Sequence, residues 1–373
     1  MAERKEASHS TAPRERRSRI NLPTPGKPSL RWLLVFVPIS FIAEFMHLEV
    51  LLFITSALAL VPLAGLLGEA TESMAIHVGP RLGGLLNATF GNLTELIVAI
   101  FLVLANEFDI VKASLIGSIL GNLLLVLGLS CIIGGARRSE QHFSARAAGV
   151  HSGSMFLAVG ALVLPALIVL SQPTTTTDNR EKISMVVAGV LITVYFLALL
   201  FTQVTHSHLF GSAEQTEETA NWSKTRAMVV LLVCAGFIGF ESEFLVSGLE
   251  PALSALHLPA FFVGLIIIPI IGNAAEHSSA ILFAIRDKVD VTLEIAIGSS
   301  TQVALFVAPV LIFVSLALGH QMDFVFAGFE IATVGFATLI VAVISLDGRT
   351  NWLEGVQLVG AYSMIAAAAF FVG

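Results

Sequence analysis

Two apolar stretches, each long enough to cross a bilayer, carry the same polar phrase in their interior. The first reads Gly91-Asn92-Leu93-Thr94-Glu95 and the second Gly272-Asn273-Ala274-Ala275-Glu276. An ionised carboxylate in hydrocarbon costs on the order of several kcal/mol unless it is paired, hydrated or bound to a cation. A chain that bears this cost twice, at equivalent places, uses both groups together, and cation transport is the first reading. Composition agrees: 55% of the 373 residues are hydrophobic and only 13% are charged, too little charge to dress a soluble domain of this size. The fold class expected is an all-α polytopic membrane protein whose obligatory partner is the lipid bilayer; no nucleic-acid partner is expected. Cys131 and Cys234 lie in apolar runs, which suggests neither a disulfide framework nor a thiolate metal site.

About 20 apolar residues span a bilayer. Eleven segments meet that expectation, near 32–46, 49–67, 83–104, 111–133, 147–170, 184–205, 227–245, 259–285, 291–317, 325–346 and 353–372. Residues 1–31 are basic and rich in proline and read as a disordered cytosolic tail, with an Arg-rich targeting peptide as the weaker option. A polar linker at 206–226 contains Glu214, Glu217 and Glu218 and reads as solvated, the alternative being a regulatory cation-attracting segment. With the N-terminus inside, 17 of the 20 lysines and arginines fall on the cytosolic side, leaving only Lys112, Arg180 and Lys182 opposite. Eleven crossings then place the C-terminus outside or in a lumen. Trp32, Trp222 and Trp352 stand at or just before segment starts, where amphipathic rings favour the interface. The short tail and compact loops fit a bacterial inner (plasma) membrane, with a vacuolar membrane as the alternative.

A shift of 181 positions lays Gly91, Asn92 and Glu95 on Gly272, Asn273 and Glu276, Asp109 on Asp290, and Gly117-Ser118 on Gly298-Ser299. The register persists without a gap through two consecutive spans. It predicts one extra N-terminal helix (32–46) and two five-helix repeats, 49–205 and 227–373. An odd number of crossings per copy inverts the second copy, and inverted repeats place a substrate site near the midplane where they meet.

On a helix, Gly91, Asn92 and Glu95 share a face, as do their counterparts. A carboxylate beside an amide oxygen is a hard-oxygen set suited to Ca2+, and two such motifs supply the charge to balance a divalent ion. Gly91 and Gly272 allow close approach or local unwinding. Pro269 is expected to bend or break its span just ahead of the motif. Ser118, Ser299 and Gln302 are further candidate ion ligands or orienting donors, and Asn122 an evenly balanced one. His277 lies about 100° round the helix from Glu276, so it faces elsewhere; a proton relay and a structural role are equally weighted. Glu72 and Glu243, near span ends, are candidates for an access or relay path, and Glu330 is expected near an interface.

These residues resemble the cation/proton exchanger (CAX) family of the Ca2+/cation antiporter superfamily. The resemblance rests on Leu86 through Glu95, Ile268 through His277, Gly298-Ser299-Ser300-Thr301-Gln302, and Phe329-Glu330 after Gly319-His320-Gln321-Met322. It implies one extra helix plus two inverted five-helix repeats, Ca2+/H+ exchange, and ion binding by Glu95 and Glu276 with neighbouring amides and hydroxyls around them. Sodium-coupled relatives carry Gly-Thr-Ser-x-Pro-Glu type motifs; here asparagine follows the glycine and no proline immediately precedes either glutamate, which argues for protons over sodium.

The reading is a Ca2+/H+ antiporter, not an enzyme, without a cofactor, Ca2+ and H+ being its transported substrates. The alternatives are a cation channel with a paired-glutamate filter and a Na+-coupled Ca2+ exchanger. An intramembrane metalloenzyme fits poorly, since no HExxH-like spacing appears. Preference between Ca2+ and Mn2+ depends on cavity size and hydration, and the sequence leaves the oligomeric state open.

Overall fold

Helix dominates because the backbone of an apolar segment has no water to bond with and must satisfy itself internally. The computed structural model describes residues 30–136, 138–205 and 220–372. The expected tail, apart from its last two residues, and the linker acids Glu214, Glu217 and Glu218 lie outside the described residues. A 3-10 turn, Leu30–Val35, leads into α1 (Phe36–Phe45). Then follow α2 (Glu49–Val78), α3 (Pro80–Phe90), α4 (Leu93–Leu104), α5 (Phe108–Leu120), α6 (Leu127–Gly135), α7 (Ala145–Ser171) and α8 (Thr177–Leu200). After the linker come α9 (Lys224–Ser247), α10 (Leu249–Leu256), α11 (Ala260–Phe262), α12 (Ile268–Gly272), α13 (Ala274–Ile285), α14 (Val289–Gln302) and α15 (Ala308–Ala317). The last two helices are α16 (Gly328–Ile344) and α17 (Trp352–Val372).

Three joints are π-helical rather than broken: Gly121–Val126 between α5 and α6, Val263–Ile267 between α11 and α12, and Val303–Val307 between α14 and α15. Pro269 and Pro309 each lie two residues beyond such a turn. Proline lacks an amide donor and its ring crowds the carbonyl four residues back, so a wider turn just upstream accommodates it. The break expected at Pro269 therefore falls elsewhere. The chain bends by 118° between α10 and the Ala260–Gly272 segment, and the helix breaks again at Asn273, inside the motif.

Seven of the described helices are long and apolar enough to cross a membrane unaided, and nine if each bent pair counts as one. Of the eleven segments expected, 32–46 and 325–346 fall outside this count, on α1 with 10 residues and α16 with 17, and so does the half of 259–285 that forms α13. Helix α2 runs eleven residues past its expected end, which puts Glu72 inside it, and α10 was not foreseen.

Burial sorts centre from rim. The apolar window of the continuous α5–α6 helix is 78% buried, whereas that of α8 is 28% buried and shows Val186, Val190 and Leu197 outward, as lipid-facing helices do. The continuous α5–α6 and α14–α15 helices run in opposite directions. Lys112, at the start of α5, pairs with Asp323 beyond α15 at 3.3 Å, while Arg138, beyond α6, pairs with Asp287 just before α14 at 3.5 Å. At that second end a two-residue ribbon joins β1 (Gln141–His142) to β2 (Arg349–Thr350) in antiparallel register, and Gln141 donates to Ala284 O and Asp287 Oδ1. Arg138 and Arg349 thus lie at one end and Lys112 at the other.

Candidate functional site

Both motifs interrupt their helices in the same way. Asn92 (φ −96°, ψ 21°) opens α4 and Asn273 (φ −98°, ψ 7°) opens α13. Glu95 and Glu276 each fall in the first turn of the new helix. A helix start carries a partial positive charge that favours a carboxylate, while the carbonyls closing the preceding half-helix favour a cation. Each break therefore supports both members of an ion–carboxylate pair.

The two motifs meet. A Cβ built on Gly272 would stand 3.2 Å from Glu95 Cγ, and one on Gly91 would stand 3.8 Å from Glu276 Oε1. Each motif's glycine thus faces the other motif's glutamate. Close approach continues alongside: a Cβ on Gly117 would overlap the Leu265 carbonyl oxygen, so only glycine lets α5 lie against the turn ahead of α12.

The asparagines cross over as well. Asn92 Nδ2 donates to Gln302 Oε1 at 2.6 Å, and Asn273 Nδ2 donates to Ser118 Oγ at 3.3 Å and to Pro269 O at 3.0 Å. With the amide nitrogens engaged, the oxygens are left over. Asn92 Oδ1, Glu95 Oε1, Asn273 Oδ1 and Glu276 Oε2 are all buried and accept no hydrogen bond. Buried polar atoms are almost always satisfied, so four unmatched acceptors on two adjoining motifs stand out as a cluster of oxygens. Two carboxylates and two amides are hard donors of the kind Ca2+ prefers, and carbonyl or water oxygens would complete its six to eight ligands.

The remaining candidates are distributed unevenly. Ser118 and Gln302 join the site through the asparagines. Ser299 is buried but makes neither of these bonds. Asn122 is wholly buried in the first π-turn, and neither polar atom of its side chain has a partner. His277 packs by the first π-turn. Its ring lies about 3.9 Å from where a Cβ on Gly121 would be, with Nε2 buried and unbonded. Glu330 is buried and caps α16 by accepting from Ala327 N at 2.7 Å, a structural use.

Glu72 and Glu243 are exposed on α2 and α9. The buried acid in that part of α9 is Glu241, which accepts from Ser40 Oγ of α1 at 2.8 Å. A signal for it existed: Cys234, Ile238, Glu241 and Leu245 fall at spacings of four, three and four, and all are buried. Apolar periodicity in α9 points to Glu241, not Glu243, as the inward residue.

The chain matches known proteins along most of its length. The model of the family described as sodium/calcium exchanger protein matches residues 48–204 and 226–371. The chain belongs to that family. It is 44% identical over 355 residues to a Ca2+/H+ antiporter of Aphanothece halophytica, covering 91% of this chain and 95% of that one. It is 40% identical over 342 residues to the Ca2+/H+ antiporter ChaA of Bacillus subtilis, covering 90% and 96%. Among solved structures, native YfkE superposes with a TM-score of 0.81 at 36% identity, covering 92% of this exchanger-family chain and all of that one. A structure of the H+/Ca2+ exchanger CAX superposes with a TM-score of 0.68 at 17% identity, covering 92% and 91%, a likeness of fold.

Proposed function

We propose that this protein is a Ca2+/H+ antiporter in which Glu95 and Glu276 hold the divalent ion between them. The observation that carries the reading is the set of four buried, unmatched oxygens contributed equally by the two motifs. Ionised, the pair attracts a divalent cation; protonated, it does not, so ion and protons compete for one place. When empty and ionised, two adjoining carboxylates repel each other in a poorly hydrated interior, which disfavours crossing without cargo. That penalty makes the cycle an exchange rather than a leak.

The opposed directions of α5–α6 and α14–α15, and the recurrence of features 181 positions apart, support two inverted five-helix repeats beside the extra helix α1. The recurring features include the π-turns at Gly121–Val126 and Val303–Val307 and the positive φ of Asn106 (63°) and Asp287 (64°). Such symmetry suits alternating access, the two copies exchanging roles as the site opens to each side. The end bearing Arg138 and Arg349 is assigned to the cytosol, with the N-terminus inside and the C-terminus outside or luminal, and Ca2+ leaves the cytosol as protons enter.

Proteoliposomes enclosing a pH dye test this directly. Added Ca2+ should drive proton movement across the membrane and Na+ should not, with Mn2+ reporting selectivity. Ca2+ flux with no accompanying proton signal would reject antiport in favour of a channel.

A further inference from the structure

The two sides of the site are not equally closed. On one side α5 packs on the segment ahead of the second motif: besides Gly117 against Leu265, a Cβ on Gly264 would come 2.9 Å from Ala113 Cβ. The 181-residue register carries Ala113 and Gly117 to Glu294 and Gly298 on α14, and Gly264 and Leu265 to Gly83 and Gly84 on α3. That second seam is not made. Gly298 has nothing within 4 Å of its Cβ position, and Gly83 packs instead against the Ala75 carbonyl of α2.

The open face of α14 is a helical stripe. Asp290 and Glu294 are exposed and Gly298, Thr301 and Gln302 half-buried, at spacings of four, four, three and one, while Thr292, Ala296, Ser299 and Ser300 on the other face are buried. The stripe is largely polar, unlike a lipid-facing surface. The Glu294 side chain is exposed on this stripe, one turn beyond Asp290. At 1.5 Å per residue, Glu294 lies about 12 Å along the axis from Gln302, whose side chain holds Asn92 beside Glu95. Asp290, one turn before Glu294, accepts from Ser144 N at 2.7 Å.

We propose that Glu294 lines a water-filled path along α14 by which the cation reaches the glutamate pair from the Arg138 end, a path that closes when Glu294 and Gly298 seat against Gly83 and Gly84. This deepens the antiporter reading and rests on it. A carboxylate there raises the local concentration of a divalent ion before it reaches the binding oxygens, so its effect belongs to capture and is sensitive to ionic strength.

Two measurements in proteoliposomes test this, with the unaltered protein as control; loss of exchange in that control would count against the antiporter reading instead. Glu294→Gln should raise the KM for Ca2+ several-fold at low ionic strength with kcat little changed, the difference shrinking in high salt, and Glu294→Asp should restore it. Gly298→Cys should react with a charged, membrane-impermeant thiol reagent, the modification should block exchange, and Ca2+ should slow the reaction; the native Cys131 and Cys234 are buried. A KM for Glu294→Gln equal to that of the unaltered protein at low salt overturns the proposal. So does a Gly298→Cys thiol that reacts only with lipid-soluble reagents, which would mark the stripe as lipid-facing.

Discussion

Gly272 lies directly against Glu95, a Cβ there falling 3.2 Å from Glu95 Cγ, and Gly91 stands in the same relation to Glu276 at 3.8 Å from Oε1. Each acid therefore lies beside a glycine of the other motif. A methyl group at Gly272 forces Glu95 to shift by a few tenths of an ångström. Overpacking of this kind costs about 1–3 kcal/mol. Gly272→Ala should weaken Ca2+ binding by roughly tenfold while the protein still folds, as read by the KM for Ca2+ together with the melting temperature in detergent. An unchanged KM would show that the glycine serves only the backbone break.

Removing either charge should be far more severe. Glu95→Gln and Glu276→Gln each leave one carboxylate for a divalent ion, and Ca2+-dependent proton movement should fall to background in both. Retained exchange in either variant would mean that the paired acids are not the binding site.

The asparagine bonds predict a coupling between residues 210 positions apart. Asn92→Ala removes one of the four unmatched oxygens and leaves Gln302 without its partner, whereas Gln302→Ala removes only the bond between them. The first should impair Ca2+ affinity more than the second. The double variant should resemble Asn92→Ala alone, with a coupling on the order of 0.5–3 kcal/mol. Simple additivity would separate Gln302 from the site.

Competition between protons and Ca2+ fixes the sign of the pH response. As pH falls the glutamates bind protons in place of the ion, so the KM for Ca2+ rises toward acid. With two coupled carboxylates the limiting slope of log KM against pH is about −2. A KM independent of pH across the range where exchange is measurable would contradict a shared site.

Glu107, in the turn between α4 and α5, has its carboxyl raised above the ordinary range by burial first and then by the charges of Glu250 and Asp109. A carboxyl raised in the folded state favours folding below its unfolded value and loses that contribution as pH rises through the folded one. Glu107→Gln should therefore gain melting temperature relative to the unaltered protein on going from pH 4 to pH 7. A constant difference across those pH values would assign Glu107 no role in the pH dependence of stability.

The membrane class was legible because hydrocarbon imposes a simple rule, apolar length marking a span, and the two polar motifs that meet in the fold were legible as interruptions of such spans. The 181-residue register was legible too, since motif spacing survives where other residues differ. What escaped depended on neighbours far along the chain. Nothing local to Pro269 says that a π-turn absorbs it while the bend falls after Leu256. The choice of Glu243 over Glu241 missed a buried stripe in α9 that apolar periodicity does carry. Glu294 went unremarked because its counterpart in the register is Ala113, so motif matching had nothing to align there.

The amide groups of Asn92 and Asn273 have a consequence for how such a protein can be altered. Their nitrogens clasp helices on opposite sides of the linker, and their oxygens are left buried without a partner. If the proposed site is right, the same two amides that join the two halves of the chain would also bear on metal preference. An engineer seeking a different cation will find that loosening the ligands loosens the seam, and the more promising handles are the residues of the approach.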